Sequence, residues 1–137
     1  MKKTVFTVQI WCAAAFIGSM LLLSCASVKQ QSDPIPELIE GVKMVIITTI
    51  NANQFFKEDY KQDALSFVML EKMDYLMIDP YTKKIFAFTL TLKDGKLVTI
   101  TATTTEESPV GSGKKVIYDV NSQNWSGDLV ELYRSQK

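Results

Sequence analysis

The chemistry open to this 137-residue chain begins with two thiols. Cys12 lies inside an apolar run and Cys25 ends it, in the stretch Leu21-Leu22-Leu23-Ser24-Cys25-Ala26-Ser27. A cysteine attacks as the thiolate, which needs a base or a cation beside it. The sequence holds no histidine. That removes the usual general base, the usual zinc ligand and every Ser-His or Cys-His nucleophile pair. Carboxylates remain. Glu58, Asp59 and Asp63 lie close in sequence, but their spacing does not match a calcium loop, and they read as a solvated helix face. Asp74 and Asp79 fall at the two ends of a short expected strand, too far apart to work as an acid–base pair. The glycines of Glu107–Lys115, ESPVGSGKK, are wrongly spaced for a phosphate loop, and no helix opens on the lysines. The expectation is a non-enzymatic protein with no catalytic residue, no metal and no cofactor.

The elements around Cys25 give it a different role. Lys2 and Lys3 make a basic start, and Ile10 to Leu23 is apolar except for Gly18 and Ser19. A charged start, an apolar stretch and a small-residue end form the layout of a secretory signal. The run is shorter than the roughly 20 residues of a membrane span. Extension back to Val5 through Gln9 approaches that length, so an uncleaved anchor helix is the alternative. Leu22, Leu23, Ser24 and Cys25 resemble the lipobox of bacterial lipoprotein precursors. The resemblance covers only the first 25 or so residues. It implies that the Cys25 sulfur receives a diacylglycerol and that a signal peptidase cuts before Cys25. Two acyl chains, at about 0.8 kcal/mol per buried CH₂, suffice for stable anchoring where one does not. Ala26 and Ser27 lack the aspartate associated with inner-membrane retention in that family. The implied location is the cell envelope, on the outer membrane facing the periplasm if the source has two membranes.

The expected organisation is therefore a signal over 1–24, a lipidated cysteine and tether over 25–36, and one domain over 37–137. The tether, Ala26 to Pro36, reaches at most about 36 Å when extended. Loss of Lys2 and Lys3 leaves 13 basic against 15 acidic residues, with no basic stripe of the kind that nucleic acid requires. Cys12 leaves with the signal and Cys25 is lipidated, so the domain has no thiol for a disulfide.

Hydrophobic periodicity predicts a mainly β domain, an antiparallel sandwich or small barrel with one short helix. A helical turn near Pro36 to Glu40 leads into a strand over 42–50, where β-branched residues are dense. Asn53 caps a helix that ends near Asp63. Strands are then expected over 65–70, 75–79, 85–92, 97–104, 114–120 and 128–133, and Pro80 begins a turn. The alternative is an α+β domain with a four- or five-stranded antiparallel sheet, should 54–72 form one continuous helix.

Asp94-Gly95 is a strong hairpin signal between Thr89 and Thr101. A two-residue loop pairs Lys93 with Lys96 and mixes apolar and polar residues on each face. A three-residue loop, Lys93-Asp94-Gly95, pairs Leu90 with Val98, Phe88 with Ile100 and Phe86 with Ala102, and separates the faces. The three-residue loop is the expectation.

Two surface features bear on partners. The alternating threonines of Thr101–Glu107, TATTTEE, read as a solvated strand face. Trp125, in the polar turn NSQNWSGD, can anchor a partner protein or close the core. Two functions follow. One is a lipid-anchored interaction or assembly module with an envelope protein partner, which calls for an exposed apolar patch or an open sheet edge. The other is a small-ligand or lipid carrier with a barrel cavity lined by Phe86, Phe88, Leu90 and Ile100.

Overall fold

The computed structural model describes residues 33–137. Leu22, Leu23, Ser24 and Cys25 lie outside the described residues, as does the tether up to Ser32. Helix α1 spans Pro34–Tyr60. Two six-residue helices follow, α2 over Phe67–Lys72 and α3 over Pro80–Ile85. Strands β1 (Phe86–Lys93), β2 (Lys96–Thr104), β3 (Lys115–Asp119) and β4 (Asn124–Ser126) form one antiparallel sheet in that order. Helix α4, Asp128–Ser135, ends the chain.

This is an α+β fold, and it corrects the expected mainly β sandwich or barrel. The sheet has four strands and is not closed. The largest difference is α1, which runs through the expected strand over 42–50 and through Asn53. Its buried residues Ile35, Leu38, Ile39, Val42, Ile46, Thr49, Asn53 and Phe56 follow a three-to-four spacing. That stripe gains roughly 1.5–3 kcal/mol per large side chain buried, which outweighs a few tenths per β-branched residue and about 1 kcal/mol at Gly41. Asp33 caps the start, its side chain accepting from the Ile35 N–H at 2.9 Å, and Pro34 suits the first turn. Residues 34–36, expected in the tether, are therefore helix. Lys61 ends α1 in the left-handed region, and its N–H donates to the Lys57 carbonyl at 2.9 Å.

The expected strands over 65–70 and 128–133 are the helices α2 and α4. Ser66 caps α2 by accepting from the Met69 N–H. Only Phe67 and Leu70 of α2 are buried, three apart, while Val68 stays exposed. In α4 the buried pair Leu129 and Val130 packs toward α1 and β3. The expected strand over 75–79 keeps its alternation, with Leu76 and Ile78 buried and Met77 exposed, but no strand among the described residues pairs with it.

The β1–β2 hairpin corrects the expected loop. Lys93 pairs with Lys96 across a two-residue turn, and both turn residues have positive φ, Asp94 at 51° and Gly95 at 73°. This is the backbone that hairpin twist favours. The mixed faces that argued against a two-residue loop are avoided by a bulge. Leu92 pairs with Leu97 but Thr91 pairs with Thr99, leaving Val98 as the extra residue. The extra residue reverses the alternation along β2. Leu97, Ile100 and Ala102 all face inward, opposite Leu92, Leu90 and Phe88, while Thr89 and Thr91 face outward beside Thr101 and Thr99. Gly95→Val is expected to cost about 1–2 kcal/mol, because a β-branched residue is strained at this φ. Thermal unfolding checks it.

The core lies between the inner sheet face and the helices. Phe86, Leu90 and Ile100 are buried there among the helical side chains, with Phe88 packed at the margin. They belong to the core of an open sheet, so the barrel cavity expected of a carrier is not formed.

Candidate functional site

An apolar groove lies between α1 and the segment Leu76–Thr82. Its position follows from a local reversal. Asp74 adopts φ 60°, and the N–H of Tyr75 donates to the Leu70 carbonyl at 2.9 Å. The chain turns back there and runs extended beside α1, with Leu76 and Ile78 as its inward anchors. Asp79 then caps α3, accepting from the Thr82 N–H at 2.9 Å. Bonds from Thr82 hold the Asp79 carboxyl below its ordinary range, so it is ionised at neutral pH.

Two hollows make the groove and meet at Asp79. One, of about 320 Å³, is lined by Glu37, Leu38, Gly41 and Val42 of α1 and by Tyr81, Ile85 and Phe86. The other, of about 240 Å³, lies among Met44, Val45, Thr48, Leu76, Met77 and Ile78. The floor is apolar. Among the described residues, the charged ones lining it are the acids Glu37 and Asp79. Three large exposed side chains belong to it: Met77 at 93%, Met44 at 66% and Tyr81 at 64% exposure. Gly41 has no atom within 4 Å of where a Cβ would sit, so the missing side chain enlarges the first hollow. Polarizable, unbranched methionines beside an apolar hollow adapt to varied partner shapes. The lining offers apolar contact together with two carboxylates.

The residues singled out in the sequence lie elsewhere. Trp125 is on β4, opposite Tyr118, with ring centroids 4.5 Å apart. It is half-buried, and the Lys43 ammonium lies 6.0 Å from its ring centroid. Its carbonyl accepts from Arg134 at 3.2 Å. Thr101 and Thr103 lie on the outer sheet face, but Thr104 is buried, its hydroxyl oxygen accepting from the Lys114 N–H at 2.9 Å.

The carboxylates expected on one solvated helix face separate. Asp59 accepts from the Tyr75 hydroxyl, and this bond pushes the Tyr75 pKa up to about 12. Tyr75, Tyr60 and Phe56 pack as an aromatic triplet with centroids 4.6 to 6.4 Å apart. Asp63 is 6% exposed and joins three parts of the fold. It accepts from the Leu97 N–H at 2.8 Å and from the Asn53 amide at 3.2 Å, and pairs with Lys57 at 3.2 Å. Asn53 in turn accepts from the Ala64 N–H at 2.8 Å. Burial pushes the Asp63 carboxyl up, but the bonds from Leu97, Lys57 and Asn53 together hold it below its ordinary value. Asn53 is thus an inward bridge within α1, correcting its expected role as a cap.

Among the described residues no three acidic or thiol side chains converge to hold a metal ion, and no helix is long and apolar enough to cross a membrane. Sequence reading missed the groove, because its walls are 38 residues apart in the chain. Gly41 inside a helical stretch was the one available signal. Comparison with protein-family models, with curated proteins and with solved structures returns no match for this chain.

Proposed function

We propose that this chain is a non-enzymatic, lipid-anchored protein of the cell envelope whose domain docks a partner protein in the α1 groove. The lipobox-like stretch Leu22-Leu23-Ser24-Cys25 supports the anchor, with acyl chains on Cys25 as the membrane contact. An outer-membrane site facing the periplasm follows if the source has two membranes. The observation that carries the docking reading is Met77, almost wholly exposed at the second of the two apolar hollows. A side chain of that size is left in water at a cost that binding would relieve. The partner segment that fits is apolar with a cation beside it, because Glu37 and Asp79 are the charges it would meet.

The test is in-cell photocrosslinking of the full-length protein with the crosslinker at Met77, read by mass spectrometry. A discrete protein adduct is expected, lost when Cys25→Ala prevents anchoring. Gly41→Ala places a methyl in the first hollow. It should raise stability by about 0.5–1 kcal/mol, because an exposed helical glycine is replaced, and should weaken the adduct. Loss of binding in a more stable domain cannot come from unfolding. Failure to crosslink from Met77, and from a second probe at Trp125, sinks the reading.

A further inference from the structure

The outer edge of β1 carries a separate inference. β1 is an edge strand of eight residues, FAFTLTLK. Its one ladder partner among the described residues is β2. Among the described residues, one backbone bond reaches Phe86–Lys93 from outside that ladder: the Phe86 N–H donates to the Thr82 carbonyl at the end of α3, so the free edge begins at Ala87. Edge strands of this length are ordinarily blunted by a proline, a charge, a bulge or a covering loop. From Phe86 to Leu92 there is no proline and no charge, and the hairpin's bulge lies on β2, not β1.

We propose that β1 pairs antiparallel with β1 of a second copy of this chain, joining two four-stranded sheets into one of eight strands. A two-fold interface requires that the strand complement itself. Centred on Thr89, β1 does so over seven residues. Thr89 meets Thr89, Ala87 meets Thr91, Phe88 meets Leu90 and Phe86 meets Leu92. The large apolar residues stay on the inner face, and the small residues Ala87, Thr89 and Thr91 stay on the outer one. Lys93 falls opposite Ile85, so no like charges meet. The same Thr–Thr pairing already holds β1 to β2, at Thr89 with Thr101 and Thr91 with Thr99.

The symmetry also agrees with tethering. The two-fold axis of an antiparallel pair stands perpendicular to the sheet. Both helical layers then lie on one side, and both chains enter α1 on that side. Two anchored copies can therefore share one bilayer surface. The pairing uses neither Met77 nor the α1 groove, so it stands or falls apart from the docking proposal.

The experiment is oxidative crosslinking of the full-length Thr89→Cys protein in its own membranes. In the proposed register the two introduced thiols lie directly across the two-fold axis, at the Cα separation of about 4.5–5.5 Å that a disulfide accepts. A reducible band at twice the chain mass is expected, well above that of the unmodified protein with its own Cys12 and Cys25. Gln123→Cys, in the turn before β4, should give no such band. Adding Thr91→Lys to Thr89→Cys places a charge in the pairing edge and should reduce the band at least tenfold, with the unfolding temperature unchanged. Three outcomes overturn the proposal. They are no dimer band from Thr89→Cys, an equal band from Gln123→Cys, or an adduct to a chain of another mass.

Discussion

Gly127→Ala should remove a large share of the stability of the domain. Gly127 sits at φ 105° and ψ 163°, a region that only glycine occupies without strain. Strain is the smaller part of the cost. A Cβ built there would lie 2.4 Å from the Lys115 carbonyl oxygen and 2.9 Å from its carbon. Both atoms are backbone of β3, which pairs with β2 at Thr103. They cannot swing aside as a side-chain end would. Moving Gly127 instead would disturb the start of α4, because its carbonyl accepts from the N–H groups of Val130 and Glu131 at 3.0 and 3.1 Å. Leu129 and Val130 would then leave the core. Overpacking and backbone strain together should cost about 3 kcal/mol or more, against a usual total of roughly 5–15 kcal/mol. The urea midpoint of unfolding measures it. Gly113→Ala is the control. Gly113 has φ 80° but open space around its Cβ position, so only the conformational cost of about 1–2 kcal/mol applies. Equal losses from the two substitutions would mean that the close approach to Lys115 is absent.

The second large effect is expected at Asp63. Asp63→Ala leaves the Leu97 N–H and the Asn53 amide without their acceptor, and both are buried. Each such group costs about 1–3 kcal/mol, so the loss from the two should be about 2–6 kcal/mol. The Lys57 pair adds little, because Lys57 is more than half exposed. The pH dependence follows from the direction of the shift. The folded-state pKa of Asp63 lies below the ordinary 3.8. Its ionised form therefore stabilises the fold fully above that value, and the gain fades as pH falls below 3.8 and through the folded-state pKa. The stability difference between the natural protein and Asp63→Asn should be flat from neutral pH to about pH 5. It should then shrink in more acid solution. A difference that grows on acidification would show that the buried carboxyl is protonated in the fold, against this network.

The chemistry of the site was legible in the sequence mainly as what is missing. The absence of histidine needed no structure to interpret. The groove was not legible. Gly41 enlarges one hollow only because Tyr81 and Phe86 arrive opposite it, and Met77 is exposed only because Leu76 and Ile78 anchor the segment on either side. Asp63 looked like one of several surface acids. Its burial depends on Leu97, 34 residues away, presenting an N–H to it.

The sequence places strands over 85–92, 97–104 and 114–120, each within a residue of Phe86–Lys93, Lys96–Thr104 and Lys115–Asp119, and it marks Asp94-Gly95 as the turn, though within a three-residue loop rather than the two-residue one observed. In these stretches alternation, β-branched residues and a turn dipeptide agree. It also determined that apolar residues of β1 face apolar residues of β2, because burying one face leaves no other choice. It did not determine the pairing that achieves this, since a three-residue loop and a two-residue loop with a bulge separate the faces equally well. Tertiary structure decided the rest. Val42–Ile50 and Asp128–Tyr133 suit a strand by composition. They are helices because the open inner face of a four-stranded sheet has to be covered, and their three-to-four spacing buries a stripe there that a two-residue period would split between core and water.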